Sequence, residues 1–142
     1  MEPGFKYHEH TADITVECWA PTMEEAFEQA AMGTFEVMLD TSTVEPKQKI
    51  EIEAGGTELS DLLVDWITQL LGEVDINYQF YCKFEVIKIC KNNEYTLSAH
   101  IWGEEIDLDK HDTRTEVKAM TYADLSIDEE DEGITMTFTL DL

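Results

Sequence analysis

From Ile134 to Asp141 the chain alternates without a break: Ile134, Met136, Phe138 and Leu140 against Thr135, Thr137, Thr139 and Asp141. A period of two puts the apolar set on one face, which predicts a half-buried β-strand. "HEHTADITVECW" at 8–19 does the same from Asp13 onward, with Ile14, Val16 and Cys18 opposed to Thr15, Glu17 and Trp19. "KIEIEA" sets Ile50, Ile52 and Ala54 against Lys49, Glu51 and Glu53, and Gly55-Gly56 turns the chain. "YCKFEVIKIC" and "EYTLSAHIW" flank Asn92-Asn93 and predict a hairpin. "EVKAMTYADLSID" and the acidic turn "EEDEG" lead into the last strand, after a polar loop over 103–115.

Two stretches change period. In "TMEEAFEQAAMGTFEVMLD" the residues Ala26, Phe27, Ala30, Ala31, Thr34, Phe35 and Met38 recur at helical spacing, and Thr22 with Glu25 forms a capping-box pattern just after Pro21. "ELSDLLVDWITQLLGEVD" carries a wide stripe of Leu59, Leu62, Leu63, Trp66, Ile67, Leu70 and Leu71, with Gly72 as the expected stop. Two helices among hairpin-linked strands predict an α+β domain over 1–142. Its expected form is a two-layer sandwich, a mainly antiparallel sheet with two amphipathic helices packed on one face.

Composition narrows the function. Nine basic and 32 acidic residues give a net charge of −23, with Arg114 the only arginine. Such a field repels a phosphate backbone, so any RNA is met only indirectly, through a basic partner. The charge otherwise fits solubility, a salty or hot environment, or the collection of divalent cations. No apolar run is long enough to span a membrane and no leader pattern opens the chain, so a soluble, cytoplasmic protein is expected. Cys18, Cys82 and Cys90 match no CxxC pattern and are read as reduced core residues.

Chemistry-bearing residues are few. No GxSxG, P-loop, GxGxxG or HExxH motif occurs, so the common catalytic signatures are missing. His8, His10 and Asp13 allow a metal triad of the hydrolase or oxygenase kind, but a His-x-His near a terminus is more often incidental. Asp13, at the mouth of an apolar strand, either caps the turn at His10-Thr11-Ala12 or needs a compensating cation. Asp141 is in the same predicament one residue from Leu142. If the two strands are neighbours, Asp13, Asp141 and the Leu142 carboxylate converge as hard oxygen donors, suited to Ca²⁺, Mg²⁺ or Mn²⁺ rather than zinc. Lys118 is either a solvated strand position or a counter-charge to these acids.

"HTADI" at 10–14, "EEAFEQAA", "DLLVDWITQLL", "EVKAMTY" at 116–122 and the terminal "LDL" together resemble the archease family, in order and spacing, over essentially the whole chain. The resemblance implies a non-catalytic activator of the GTP-dependent RNA-splicing ligase of tRNA splicing, promoting its guanylylation and multiple turnover. It implies a metal site on Asp13, Asp141 and Leu142; beside it, Ca²⁺ is expected ahead of Mg²⁺ and Mn²⁺, with His10 shaping the turn and Lys118 as supporting candidates. An alternative it carries is a chaperone-like modulator of RNA-modifying enzymes such as a tRNA cytosine methyltransferase. The chain departs from the family where Ala123 follows Tyr122, a position that often holds His.

Overall fold

A computed structural model describes all residues, Met1–Leu142. The elements are β1 (Gly4–Glu9), β2 (Asp13–Ala20), α1 (Met23–Met38), β3 (Gln48–Gly56), α2 (Leu59–Asp75), β4 (Gln79–Asn92), β5 (Glu94–Glu105), β6 (Ala119–Glu130) and β7 (Gly133–Asp141). All strand pairs are antiparallel, so the α+β class holds. The strands form two sheets rather than one: β1-β2-β7-β6 and β3-β5-β4. Both helices touch both sheets; α1 packs on β2 and β7 of the first and β4 of the second, and α2 on β3 and β6. Alternation tells each strand which face is buried. It does not tell which strands share hydrogen bonds, and here the helices join two half-covered sheets.

Local chemistry sets the helix ends. The Glu25 N–H donates to Thr22 Oγ1 at 3.2 Å, the cap anticipated for α1. Every residue expected on the apolar face of α1 is buried, Ala26, Phe27, Ala30, Ala31, Thr34, Phe35 and Met38. Helix α2 starts on a reciprocal box between Glu58 and Asp61 and runs through Gly72 to Asp75. A Cβ at Gly72 would meet nothing within 4 Å, so neither close packing nor backbone conformation calls for glycine there. The indole N–H of Trp66 donates to the Phe27 carbonyl at 3.0 Å and locks the two helices together inside the core. No helix is long and apolar enough to cross a membrane.

The cysteines divide by depth: Cys18 is buried, Cys82 half-buried and Cys90 exposed, so Cys90 is not a core residue. Burial, with Glu17 nearby, pushes the Cys18 thiol up to about 12, the opposite of an activated nucleophile.

Gly103 shows how tightly the second sheet is drawn. A Cβ there would lie 1.9 Å from the Phe80 carbonyl oxygen and 2.7 Å from Tyr81 Cα, both main-chain atoms. The neighbouring β4 register is broken between Tyr81 and Lys83, so this close approach occupies a bulge. Gly103→Ala is expected to destabilise the chain by about 3 kcal/mol, at the upper end of overpacking penalties. Urea unfolding of the two proteins measures it, and equal midpoints would show that the strand yields at no cost.

Candidate metal centre at the strand ends

Strands β2 and β7 are neighbours over eight register pairs that begin at Asp13 opposite Asp141. The Leu142 N–H donates to the Ala12 carbonyl at 3.2 Å, which makes Ala12–Leu142 the hydrogen-bonded pair and Asp13–Asp141 the next, non-hydrogen-bonded one. In that kind of pair Cα atoms approach to about 4.5 Å and the side chains share a face. Further along this face the hydroxyls of Thr15 and Thr139 meet at 3.3 Å, while Ile14, Val16, Phe138 and Leu140 bury the other face. Alternation thus carries two carboxylates to one side of adjacent strand ends, like charges directly opposite, which is destabilising by itself. One of them is also desolvated. Oδ1 of Asp13 is buried and has no hydrogen-bond partner.

The histidines do not join this pair as a triad. His8 belongs to β1, opposite Thr15, and its Nε2 lies 3.1 Å from Glu17 Oε2. His10 sits in the turn between β1 and β2, where its N–H donates to the Asp13 carbonyl at 3.1 Å. His8 lies on β1, an edge strand that "GFKYHE" scarcely advertises, whereas His10 lies beyond it and lines the same cavity as Asp13. Lys118 precedes β6 rather than lying within a strand. Its N–H donates to the Asp141 carbonyl at 2.8 Å, and its side chain is exposed. Nowhere in the chain do three His, Cys, Asp or Glu side chains converge as a metal cluster. What the register brings face to face is one pair of carboxylates, Asp13 and Asp141, with Leu142 next in the chain.

Around the strand ends lies a cavity of about 360 Å³, lined by Tyr7, His10, Asp13, Glu36, Arg114 and Leu142 among others. Arg114 and Glu36 are members that the linear pattern does not mark, although a single arginine among nine basic residues is a signal in itself. Nη1 of Arg114 donates to the Glu36 carbonyl at 2.8 Å and to Oε2 at 3.0 Å, and Glu36 also accepts from the Thr41 N–H and hydroxyl. Main-chain bonds hold the arginine there: Arg114 N–H to Met38 carbonyl at 2.7 Å and Thr115 N–H to Val37 carbonyl at 3.2 Å. The Tyr7 hydroxyl donates to the Gly33 carbonyl at 2.6 Å, and burial, reinforced by Glu36, raises its pKa.

What fixes the 106–118 segment is a second polar cluster. The Asp107 N–H donates to Nδ1 of His111 at 3.0 Å, so the imidazole hydrogen sits on Nε2 and faces Glu104 Oε2, also at 3.0 Å. Glu104 further accepts from the Glu45 N–H at 2.7 Å and from Lys110 Nζ at 3.0 Å, with Lys47 Nζ at 3.4 Å. Burial works to raise the Glu104 pKa, but the Glu45 N–H, His111 and Lys110 outweigh it and hold the carboxyl at about 2.

Relatives agree with this architecture. Residues 5–142 match the archease protein family (MTH1598/TM1083). The chain is similar to the Protein archease of Aeropyrum pernix, 41% identical over 98% of this chain and 97% of that one. It is similar also to that of Sulfurisphaera tokodaii, 43% identical over 97% and 98%. The solution structure of protein 1598 of Methanobacterium thermoautotrophicum superposes with a TM-score of 0.84 at 38% identity, covering 98% of this chain and 99% of that one. On sequence and fold together, the chain belongs to the archease family.

Proposed function

We propose that this chain is a non-catalytic accessory protein that activates a GTP-dependent RNA-splicing ligase, promoting its guanylylation and its turnover. Family membership supports an activator or modulator of RNA-processing enzymes; the ligase and the metal are the finer reading. The observation that carries the metal is the Asp13–Asp141 pair, two opposed carboxylates of which one keeps a buried, unpartnered oxygen. A hard divalent cation answers both defects at once, offsetting the like charges and filling the lone pairs of Asp13. Asp13, Asp141 and the carboxyl group of Leu142 would hold it, Ca²⁺ ahead of Mg²⁺ and Mn²⁺. When bound, it would supply a localised positive charge on an otherwise anionic tip. His10 and Lys118 support the site through the main chain, by closing the turn before Asp13 and tying down Asp141. Nothing in the fold or the relatives favours a methyltransferase as the partner. A hydrolase built on His8, His10 and Asp13 loses its geometric basis, because His8 is engaged with Glu17.

The test is ligase turnover. Substoichiometric chain is added to the cognate ligase with GTP, Mn²⁺ and excess RNA bearing a 3′-phosphate and a 5′-hydroxyl. Conversion of single into multiple turnover is the expected result, and an unchanged single turnover would refute the reading. A separate prediction concerns the backbone donor. A short C-terminal extension should weaken Ca²⁺ or Mn²⁺ binding about tenfold or more, since losing even an outer-shell partner of a metal ligand costs about that much. Calorimetric titration of the extended and unextended chains measures this; equal affinities would remove Leu142 from the ligand set.

A further inference from the structure

We propose that the apolar cleft beneath Leu108 is the seat of the partner enzyme, which inserts there an apolar side chain flanked by Lys or Arg. The proposal rests on the accessory reading above and adds the surface by which the partner is held.

Six large apolar side chains are exposed in the chain, and two of them, Tyr78 and Leu108, line one opening. Ile76 is 83% exposed, Tyr78 51% and Leu108 67%, where α2 ends, β4 begins and the 106–118 segment folds back. The Ile106 N–H donates to the Tyr78 carbonyl at 3.0 Å and holds the two segments side by side. Next to them opens a cleft of about 320 Å³ lined by Met38, Leu71, Val74, Phe80, Leu108 and Val117. That volume accepts one large apolar side chain. In a chain so highly charged, an exposed leucine over an apolar cleft, with Tyr78 on its other side, is the feature that marks a contact surface.

The patch is also preorganised. Leu108 sits in a turn closed by Lys110 N–H to the Asp107 carbonyl and Asp109 N–H to Asp107 Oδ1, both at 3.0 Å. Behind the turn stands the buried His111–Glu104 pair. A partner therefore does not spend binding energy on ordering this segment.

Charge selects the occupant. Asp75 and Glu116 line the cleft, and Asp107 and Asp109 flank Leu108. The one guanidinium at the rim, Arg114, is engaged with Glu36. A second copy of a chain bearing −23 would bring acidic rim against acidic rim, whereas an enzyme that handles RNA carries Lys and Arg around its substrate. Position agrees with this. Arg114 and Thr115 line both the cleft and the cavity that holds Asp13 and Leu142, so a partner anchored in the cleft has the acidic strand ends beside it.

Calorimetry of the full chain against the cognate ligase tests the proposal, with Leu108→Ser and Tyr78→Ser as variants of exposed positions. Leu108→Ser should raise Kd about tenfold or more, the loss expected for an interface anchor. Its Mn²⁺ affinity and melting temperature should stay those of the unmodified chain, and turnover should recover at high concentration. Affinity of the unmodified chain should fall as salt rises. A Kd that Leu108→Ser and Tyr78→Ser leave unchanged overturns the surface while sparing the accessory reading. Failure of the unmodified chain to bind overturns both. A dimer that sedimentation detects and Leu108→Ser dissolves assigns the cleft to a second copy, against the proposal.

Discussion

Asp13→Asn should make the chain more stable without metal, indifferent to metal, and inert as an activator. The three effects have one cause. Asp13 and Asp141 face each other at the closest kind of cross-strand position, and Oδ1 of Asp13 has no partner. Removing one charge relieves a repulsion of about 0.5–1 kcal/mol, so the metal-free variant should melt slightly higher. The unmodified chain should overtake it when Ca²⁺ or Mn²⁺ is added. At a hundred times Kd a bound ligand contributes about 2.7 kcal/mol, which for a domain of this size is a rise of about 5–10 °C. The variant should show little of that rise. Thermal melts with and without cation decide between the readings: parallel responses in both proteins would mean that Asp13 holds no metal. In the ligase assay Asp13→Asn should still bind the partner, because the cleft beneath Leu108 is untouched, yet leave the reaction at single turnover. Equal activation by the variant would keep the partner and discard the acidic site.

The part of this site that the sequence makes legible is the misfit of its acids. Asp13 at the mouth of an apolar strand and Asp141 among threonines are anomalous against a period of two, and anomalies survive without a structure. Their meeting is a long-range fact. It needs β2 and β7, at opposite ends of the chain, to be hydrogen-bonded neighbours, and alternation carries no information about neighbours. The helices are more legible because their determinants are local: the Thr22 cap, the stripes centred on Phe27 and Trp66. Strand β1 is hard to see because an edge strand needs only a few inward residues, here Phe5 and Tyr7, and carries Lys6 and His8 on its other side. Gly72 misleads because it keeps helical backbone inside α2, with no left-handed φ to mark a stop, and the helix runs on to Asp75. The 103–115 stretch hides most. Its Glu104 and His111 read as solvated loop residues, yet both are buried, each satisfying the other. A polar segment whose charges pair internally has the same sequence pattern as one that faces water.

That hidden pair should produce the largest loss of stability among the polar substitutions. Glu104 gathers the Glu45 N–H, His111 and Lys110 around one buried carboxylate, and Glu104→Gln leaves those donors without their countercharge. Breaking such a pair from one side costs about 3 kcal/mol, or roughly 6–12 °C in melting temperature. The pH dependence identifies the cause. Because the folded-state pKa is held at about 2, below the ordinary value of 4.5, the stability Glu104 contributes is full above the ordinary value. It is lost as pH falls from there towards about 2, where folded and unfolded chains both bind the proton. Urea unfolding should therefore show the two proteins far apart at pH 7, closer at pH 3 and nearly equal near the lower limit. A gap that persists at low pH would point to packing rather than charge. The consequences reach past stability, since Glu104 and His111 hold the segment that sets Leu108 over its cleft and Arg114 against Glu36. At pH 7 Glu104→Gln should quicken amide exchange from Ile106 to Thr115 and weaken partner binding, while Asp13, tied to β7 by its own ladder, keeps its cation.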